Sequence, residues 1–110
     1  MRYLLLLWGD EEGESALTAE ERGAIVREHR AFGDRLRASG ALVLAEALTG
    51  REGVRTVRPP LVTDGPFAET KEQLGGFYVV DCESDDDVLR IATDVPRSPG
   101  LVVEVRPTAS

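Results

Sequence analysis

His29 is the only histidine in the chain, and its side chain is the one best suited to move a proton near neutral pH. Helical intervals counted back from the apolar residues Leu36 and Phe32 reach His29, so we predict that His29 lies on the buried stripe of a long helix. One interpretation is an acid or base catalyst in a cleft between that helix and a sheet. The other is a hydrogen-bonded histidine that only fills the helix–sheet interface.

A carboxylate beside an imidazole fixes its tautomer and stabilises its protonated form, and Asp64 is the best candidate for that role. Asp64 precedes Gly65-Pro66, and aspartate before Gly-Pro is also what a tight turn requires. Asp10, at the end of the first predicted strand, and Glu46 are further acids that could face the same cleft. The sequence does not rank these three carboxylates by their distance from His29.

Three more residues are candidates for binding a substrate. Lys71, between Glu69 and Glu72, could bind an anionic substrate if the glycine pair that follows folds this segment over the cleft. A charged run of this kind is also typical of a solvated surface. Trp8 and Phe67 could form an apolar wall for a small ligand, although aromatic residues in a small protein are first of all core residues.

The sequence predicts neither a metal site nor a cofactor. Cys82 is the only cysteine, which excludes an intrachain disulfide and a thiolate-rich metal site. The run Asp85-Asp86-Asp87 fits helix capping, because it lacks the alternating ligands and the glycine of a calcium loop. No phosphate-binding glycine motif and no nucleophile elbow are present.

The charge balance argues against nucleic acid as a direct partner. With 20 acidic and 13 basic residues the net charge is -7, and no block of Lys and Arg offsets it locally, so the chain would repel a phosphate backbone. The apolar run from Tyr3 to Trp8 is too short for a membrane span, and acidic residues follow it instead of a signal-peptide cleavage site. We therefore expect no membrane association and a cytoplasmic location.

Hydrophobic patterning and capping residues predict one long helix and one short helix. Thr18 and Glu21 match a capping box, so the long helix begins after Thr18. It should run to about Ser39, because Gly40 can adopt the left-handed conformation that ends a helix. Ser84 is predicted to cap the short helix.

Strands are predicted where apolar residues run together. The four strands of the main sheet are residues 3–8, 42–44, 77–82 and 101–105. Residues 54–57 and 61–63 are predicted either to pair as a small hairpin or to form one interrupted edge strand, because Pro59 and Pro60 exclude a regular central strand. The acidic segment 9–17 is predicted to be a solvated loop.

This order of elements predicts an α+β fold of the ferredoxin-like βαββαβ type with an extra hairpin, in which two helices cover one face of an antiparallel sheet. A length of 110 residues suits a single domain, residues 1–110. Apolar strand residues fall on both sides of the sheet, so the face without helices needs a cover. A second copy packed sheet against sheet is the simplest cover, and we predict a homodimer.

The segment 64–78 also carries a resemblance to a known family. It reads D-G-P-F-A-E-T-K-E-Q-L-G-G-F-Y, which resembles the signature of the YCII-related family in its DGPF-domain branch. The likeness extends to residues 1–6, M-R-Y-L-L-L, and to residues 103–107, V-E-V-R-P. It therefore covers nearly the whole chain.

The resemblance implies the same ferredoxin-like architecture and an assembly similar to that of dimeric α/β-barrel proteins. It also implies a pocket centred on a His/Asp pair, whose histidine resembles His29 in lying on the first helix beyond an arginine, here Arg27. Some family members resemble muconolactone isomerases and related dehydrochlorinases. One implied function is therefore acid–base chemistry of the isomerase, lyase or dehydrochlorinase type on a small carbonyl or hydroxy-acid compound.

A second function class stays open. DGPF-domain proteins are often encoded beside extracytoplasmic-function sigma factors, so the resemblance also implies a non-catalytic ligand-binding or regulatory module. The net charge of -7 suits contact with a basic protein surface. The two functions make different demands on His29, because an enzyme needs it reachable in a concave site whereas a module allows it to be sealed in the core.

Overall fold

The computed structural model describes residues 1–109, and Ser110 lies outside the described part. Its strands are β1 (Arg2–Asp10), β2 (Leu42–Ala47), β3 (Arg55–Arg58), β4 (Leu61–Asp64), β5 (Glu72–Asp81) and β6 (Val102–Pro107). Its helices are α1 (Glu11–Ser15), α2 (Ala19–Ala38) and α3 (Asp85–Thr93). The strands and helices follow the order predicted from the sequence, with α1 added between β1 and α2.

The main sheet has four strands in the order β2-β5-β1-β6, and every pair of neighbours is antiparallel. The predicted α+β class with an antiparallel sheet is confirmed, and the strand order is compatible with the ferredoxin-like arrangement. β3 and β4 pair with each other as a separate two-stranded hairpin. Of the two arrangements left open for this region, the structure therefore has the hairpin.

Helix α2 begins and ends at the residues that the sequence indicated. The Thr18 hydroxyl accepts a hydrogen bond from the Glu21 amide, and the Glu21 carboxylate accepts one from the Thr18 amide, which completes the capping box. Past the last turn, Gly40 has a φ of +80°, a conformation that glycine adopts without strain. None of the helices described in residues 1–109 is both long and apolar enough to cross a membrane.

The core lies between one face of the sheet and the two longer helices. Tyr3 and Leu5 of β1 share this face with Tyr78 and Val80 of β5, as the strand register requires. Helix α2 adds Phe32 and Leu36, and α3 adds Val88, to the same buried cluster. Because both helices pack on the same face, the opposite face of the sheet is left without a helix.

Two segments differ from the sequence prediction. The segment 9–17 was predicted as a loop, but its first two residues extend β1 and residues 11–15 form α1. Asp10 caps α1 by accepting a hydrogen bond from the amide of Glu12, and acidic residues in the first turn are favourable at the positive end of a helix. The longer β1 gives β5 a partner as far as Glu72, so the polar residues before Phe77 are strand residues too.

The face of the sheet without helices, called the outer face below, is apolar at its centre. Leu4 lies opposite Val79 and Leu6 lies opposite Phe77 on this face, and all four side chains are only partly buried. The whole chain measures 41 × 39 × 17 Å, so it is a flat slab of one sheet and one helical layer. Leu44 of β2 extends the apolar surface toward one edge of the sheet.

Packing of α2 on the sheet should depend on Phe32. Replacing Phe32, which is 2% exposed, with alanine is expected to lower the free energy of unfolding by about 3–5 kcal/mol, because the change leaves a cavity in the core. Val26 lies on the same helix but is 47% exposed, so Val26→Ala should cost less than about 1 kcal/mol. Urea denaturation of both variants measures the difference, and equal losses would contradict the core described above.

Candidate functional site

A cleft of about 650 Å³ lies between α2, which lines it from Arg22 to Arg37, and the helix-bearing face of the sheet. The C-terminal half of α2 is held against the sheet by Phe32 and Leu36. Beside this contact, Leu7 of β1 lines the cleft together with the small residues Ala45, Ala47 and Gly76 of β2 and β5. Side chains this small do not fill the space beneath a helix, so the cleft follows from their size.

Two glycines line this cleft without contributing a side chain to it. A Cβ at Gly76 would lie 2.9 Å from the carbonyl oxygen of Glu46 on β2, so β5 and β2 approach this closely because the residue is glycine. Gly33 lies inside α2 and lines the cleft, and a Cβ there would have no atom within 4 Å. Glycine within a helix costs about 1 kcal/mol relative to alanine. No neighbouring atom within residues 1–109 excludes a side chain at Gly33, so packing does not explain why this helix position is a glycine.

The imidazole of His29 lines the cleft and is hydrogen bonded to Tyr78. His29 Nδ1 lies 2.6 Å from the Tyr78 hydroxyl, and the two rings are stacked with centroids 6.0 Å apart and an angle of 17° between their planes. The other edge of the Tyr78 ring meets Phe32, one helical turn along α2, in a perpendicular contact at 5.3 Å. Because Tyr78 occupies Nδ1, Nε2 is the nitrogen left to meet a ligand.

Partial burial keeps both members of the pair neutral. Burial lowers the pKa of His29 below its ordinary value, and the nearby carboxylate of Glu28 opposes this only in part. Burial also raises the pKa of Tyr78. At neutral pH, one hydrogen therefore joins the two groups, either from the hydroxyl to Nδ1 or from Nδ1 to the hydroxyl oxygen.

Charged groups stand at the margin of the otherwise apolar cleft. Burial, followed by the neighbouring Asp10, raises the pKa of Glu14. The Glu14 carboxylate lies over Gly9, where a Cβ would come within 2.8 Å of it. Arg22 donates hydrogen bonds to the backbone oxygens of Glu14 and Leu17, and so ties α1 to the start of α2. Glu14 therefore places a carboxyl group on the wall of the cleft that α1 forms.

Two of the residues predicted from the sequence lie in the cleft with His29. Trp8 borders it at the end of β1, but its indole nitrogen donates at 3.2 Å to the carboxylate of Glu104, a residue that lies opposite Leu6 of the outer face. Glu46 lines it at the edge strand β2. Asp10 is close to the cleft without lining it, because its carboxylate is used to cap α1.

The other three predicted residues lie outside the cleft of their own chain. Asp64 ends β4 on the hairpin, where it is exposed opposite Arg55. Phe67 and Lys71 follow on the exposed connection from β4 to β5. The pairing of His29 with Asp64 stays a prediction, and the hydrogen-bond partner that the structure gives His29 within the chain is Tyr78.

Sequence reasoning missed Tyr78 and Glu14 as members of the site. A signal for Tyr78 was present, since a buried tyrosine hydroxyl needs a hydrogen-bond partner and His29 was already placed on the buried stripe of the helix. The pairing itself depends on the register of β5 under α2, which the sequence does not give. No comparable signal marks Glu14, because an acidic residue in an acidic segment is usually solvated.

The lowered pKa of His29 predicts how stability depends on pH. Because the unfolded chain binds a proton at His29 more tightly than the folded chain, the contribution of His29 to stability is full above about pH 6.5 and is lost as the pH falls through the folded pKa. Urea denaturation from pH 7.5 to 5.0 should show the wild type losing more stability than His29→Gln. Parallel curves for the two proteins would contradict the direction of the shift.

Comparison with known proteins places the chain in a family. The profile of the YCII-related domain matches residues 1–108. An uncharacterised protein of Rhizobium meliloti (strain 1021) is 37% identical over 115 residues, an alignment that covers 99% of this chain and 93% of the relative. Both matches span the cleft and the sheet as a whole. The chain therefore belongs to the YCII-related family.

Proposed function

We propose that the cleft is the active site of a small acid–base enzyme in which His29 moves a proton through Nε2. The observation that carries this proposal is the 2.6 Å hydrogen bond between His29 Nδ1 and the Tyr78 hydroxyl inside a largely apolar cleft. An apolar cleft with few polar groups suits a small, largely apolar compound. We propose a carbonyl or hydroxy-acid compound as substrate, and chemistry of the isomerase, lyase or dehydrochlorinase type.

The His29–Tyr78 pair has the properties that such a reaction needs. In the tautomer with the proton on Nδ1, Nδ1–H donates to the Tyr78 oxygen and the Nε2 lone pair faces the cleft as a base. Nε2 removes a proton from the carbon beside the substrate carbonyl, and in an isomerisation the imidazolium returns it to another carbon of the resulting enolate. In an elimination the electron pair of the broken C–H bond forms a C=C bond, chloride or hydroxide leaves the neighbouring carbon with its bonding pair, and the imidazolium gives its proton to the departing hydroxide or to solvent. The lowered pKa keeps the base form populated at neutral pH.

The proposal also includes the three predicted residues that lie outside the cleft of their own chain. Asp64 remains our proposed carboxylate for His29, and Phe67 and Lys71 remain proposed ligand contacts. In one chain they stand on and after the hairpin, so reaching a cleft would require a second copy or a different hairpin position. Membership of the DGPF-domain branch and a cytoplasmic location are proposals on the same footing, supported by the sequence alone.

The alternative function is a ligand-binding or regulatory module linked to extracytoplasmic-function sigma factors. The cleft would serve a binding module as well as an enzyme. The link to sigma factors has its only support in the sequence resemblance, whereas the His29–Tyr78 pair supports proton transfer specifically. We therefore place the enzyme first.

We also propose that the protein is a homodimer joined through the outer face, in the manner of dimeric α/β barrels. The support is the apolar centre of that face, Leu4, Leu6, Phe77 and Val79, which is only partly buried within residues 1–109. Exposed apolar surface of this extent on a sheet is typical of an interface between proteins.

Leu6→Glu tests the dimer, because a charge at the centre of the outer face would be buried without a partner in a sheet-to-sheet interface. We expect the variant to sediment as a monomer at a concentration where the wild type is a dimer. Leu89→Glu on the exposed side of α3 is the matched control and should leave the assembly unchanged. A wild type that sediments as a monomer at micromolar concentration would contradict the proposal.

Proton abstraction can be measured without knowing the natural substrate. A panel of small ketones, lactones and 2-oxo acids is incubated with the protein in D₂O, and ¹H NMR follows the exchange of the hydrogen beside each carbonyl. For compounds that exchange, His29→Gln should slow the catalysed rate by about 10²–10⁴, the usual contribution of a general acid or base. Tyr78→Phe should slow it less, because the imidazole is kept but its tautomer is no longer fixed.

Arg90→Gln, on the exposed surface of α3, is the matched control and should exchange hydrogens at the wild-type rate. Exchange that persists unchanged in His29→Gln, or a panel in which no compound exchanges faster than in buffer, would count against catalysis. Thermal-shift binding of a panel compound without exchange would favour the binding module instead.

A further inference from the structure

The β3–β4 hairpin, residues 55–64, is called the arm below. It exposes apolar side chains to solvent. Val57 is 59% exposed, Val62 is 60% exposed and Leu61 is 67% exposed. Val57 and Val62 lie directly opposite each other and so share one face of the arm. The two arm strands pack extensively only against each other. Isolated two-stranded hairpins are marginally stable in water.

The base of the arm is nonetheless fixed to the rest of the chain. The Arg51 guanidinium forms an ion pair with Glu11 of α1 at 2.8 Å and another with Glu69 at 3.0 Å. At the end of the arm strands, the amide of Gly65 donates to the carbonyl of Val54. Arg51 therefore ties the segment before the arm to α1 and to the connection after it, while the apolar face of the arm stays exposed.

The dimensions of the molecule show how far the arm departs from a compact shape. The radius of gyration is 15.2 Å. A compact chain of this length would have a radius of gyration of about 13 Å. A flat sheet-and-helix slab with a projecting hairpin accounts for the excess. A shape of this kind leaves the arm free to reach a neighbouring molecule.

We propose that the arm packs on the outer face of a second copy of this chain, so that each subunit of the dimer clasps the other. The area of the outer face makes a second contribution necessary. Four strands about 4.8 Å apart and about six residues long present a face of roughly 380 Å². Stable interfaces bury about 800 Å² on each partner. The arm that each subunit gives adds roughly 130 Å² to its outer face, for roughly 510 Å² per subunit counted as flat surface.

The charges at the two surfaces are complementary. The arm carries Arg55 and Arg58, and neither forms an ion pair within residues 1–109. Glu46, on the edge strand β2 next to the exposed Leu44, also has no ion-pair partner in this part of the chain. A basic arm beside an acidic edge favours the pairing of unlike surfaces in a two-fold dimer.

The double variant Val57→Ser/Val62→Ser tests the arm directly. It makes the shared apolar face polar without touching the core, so the circular dichroism spectrum and the imidazole signals of His29 should be those of the wild type. We expect the dissociation constant of the dimer, measured by sedimentation equilibrium, to rise at least tenfold. Leu89→Ser, an exposed leucine on α3, is the matched control and should leave that constant unchanged.

A second measurement locates the arm on its partner. In a dimer mixed from labelled and unlabelled chains, isotope-filtered NOE spectra should connect the methyl groups of Val57 and Val62 with Leu44 of the other copy. A dimer that Leu6→Glu breaks while the arm variant leaves its dissociation constant unchanged would overturn the arm and leave the sheet interface standing. A wild type that is monomeric would overturn both, and neither result bears on proton transfer at His29.

Discussion

The contact of Tyr78 with α2 is the interaction on which the rest of the structure depends. Tyr78 comes from the central strand β5, and its ring meets Phe32 in the core while its hydroxyl meets His29 in the cleft. Phe32 and His29 are three residues apart on the helix, so a single tyrosine contacts one α2 residue that is packed in the core and one that lines the cleft. The same ring that anchors the helix therefore holds the imidazole.

This arrangement explains why a chain of 110 residues has an open cleft rather than a filled core. On one side of Tyr78 the sheet offers Tyr3, Leu5 and Val80, which fill the space under the helix. On the other side, β2 and β5 offer the small residues Ala45, Ala47 and Gly76 beside Leu7 of β1. Burial near this border is partial, which is enough to lower the pKa of His29 while leaving Nε2 accessible to a ligand.

Local features of the fold could be predicted from the sequence because their causes are local. The Thr18 capping box, the stop at Gly40 and the position of His29 on the helix stripe all depend on residues within a few positions of one another. Helix α1 was missed because its cap, Asp10, was expected to do something else.

The composition of the site depends on causes that are not local. Asp64 ends β4 just before Gly65, whose φ is +90°, but its position relative to His29 is set by the direction of the hairpin, which no short pattern encodes. Tyr78 meets His29 because of the register between β5, β2 and the helix above them. The predicted homodimer depends on a surface whose apolar character was visible in the strands, while the projecting arm follows only from the three-dimensional shape.

The most direct test of the Tyr78–His29 contact is the long-range ¹H–¹⁵N NMR spectrum of the imidazole at pH 7. It reports the protonation and hydrogen bonding of Nδ1 and Nε2 separately. The proposed function predicts a neutral ring with its proton on Nδ1, and predicts that Tyr78→Phe changes chiefly the Nδ1 signal. Nitrogen shifts averaged between the two tautomers and indifferent to Tyr78→Phe would contradict it.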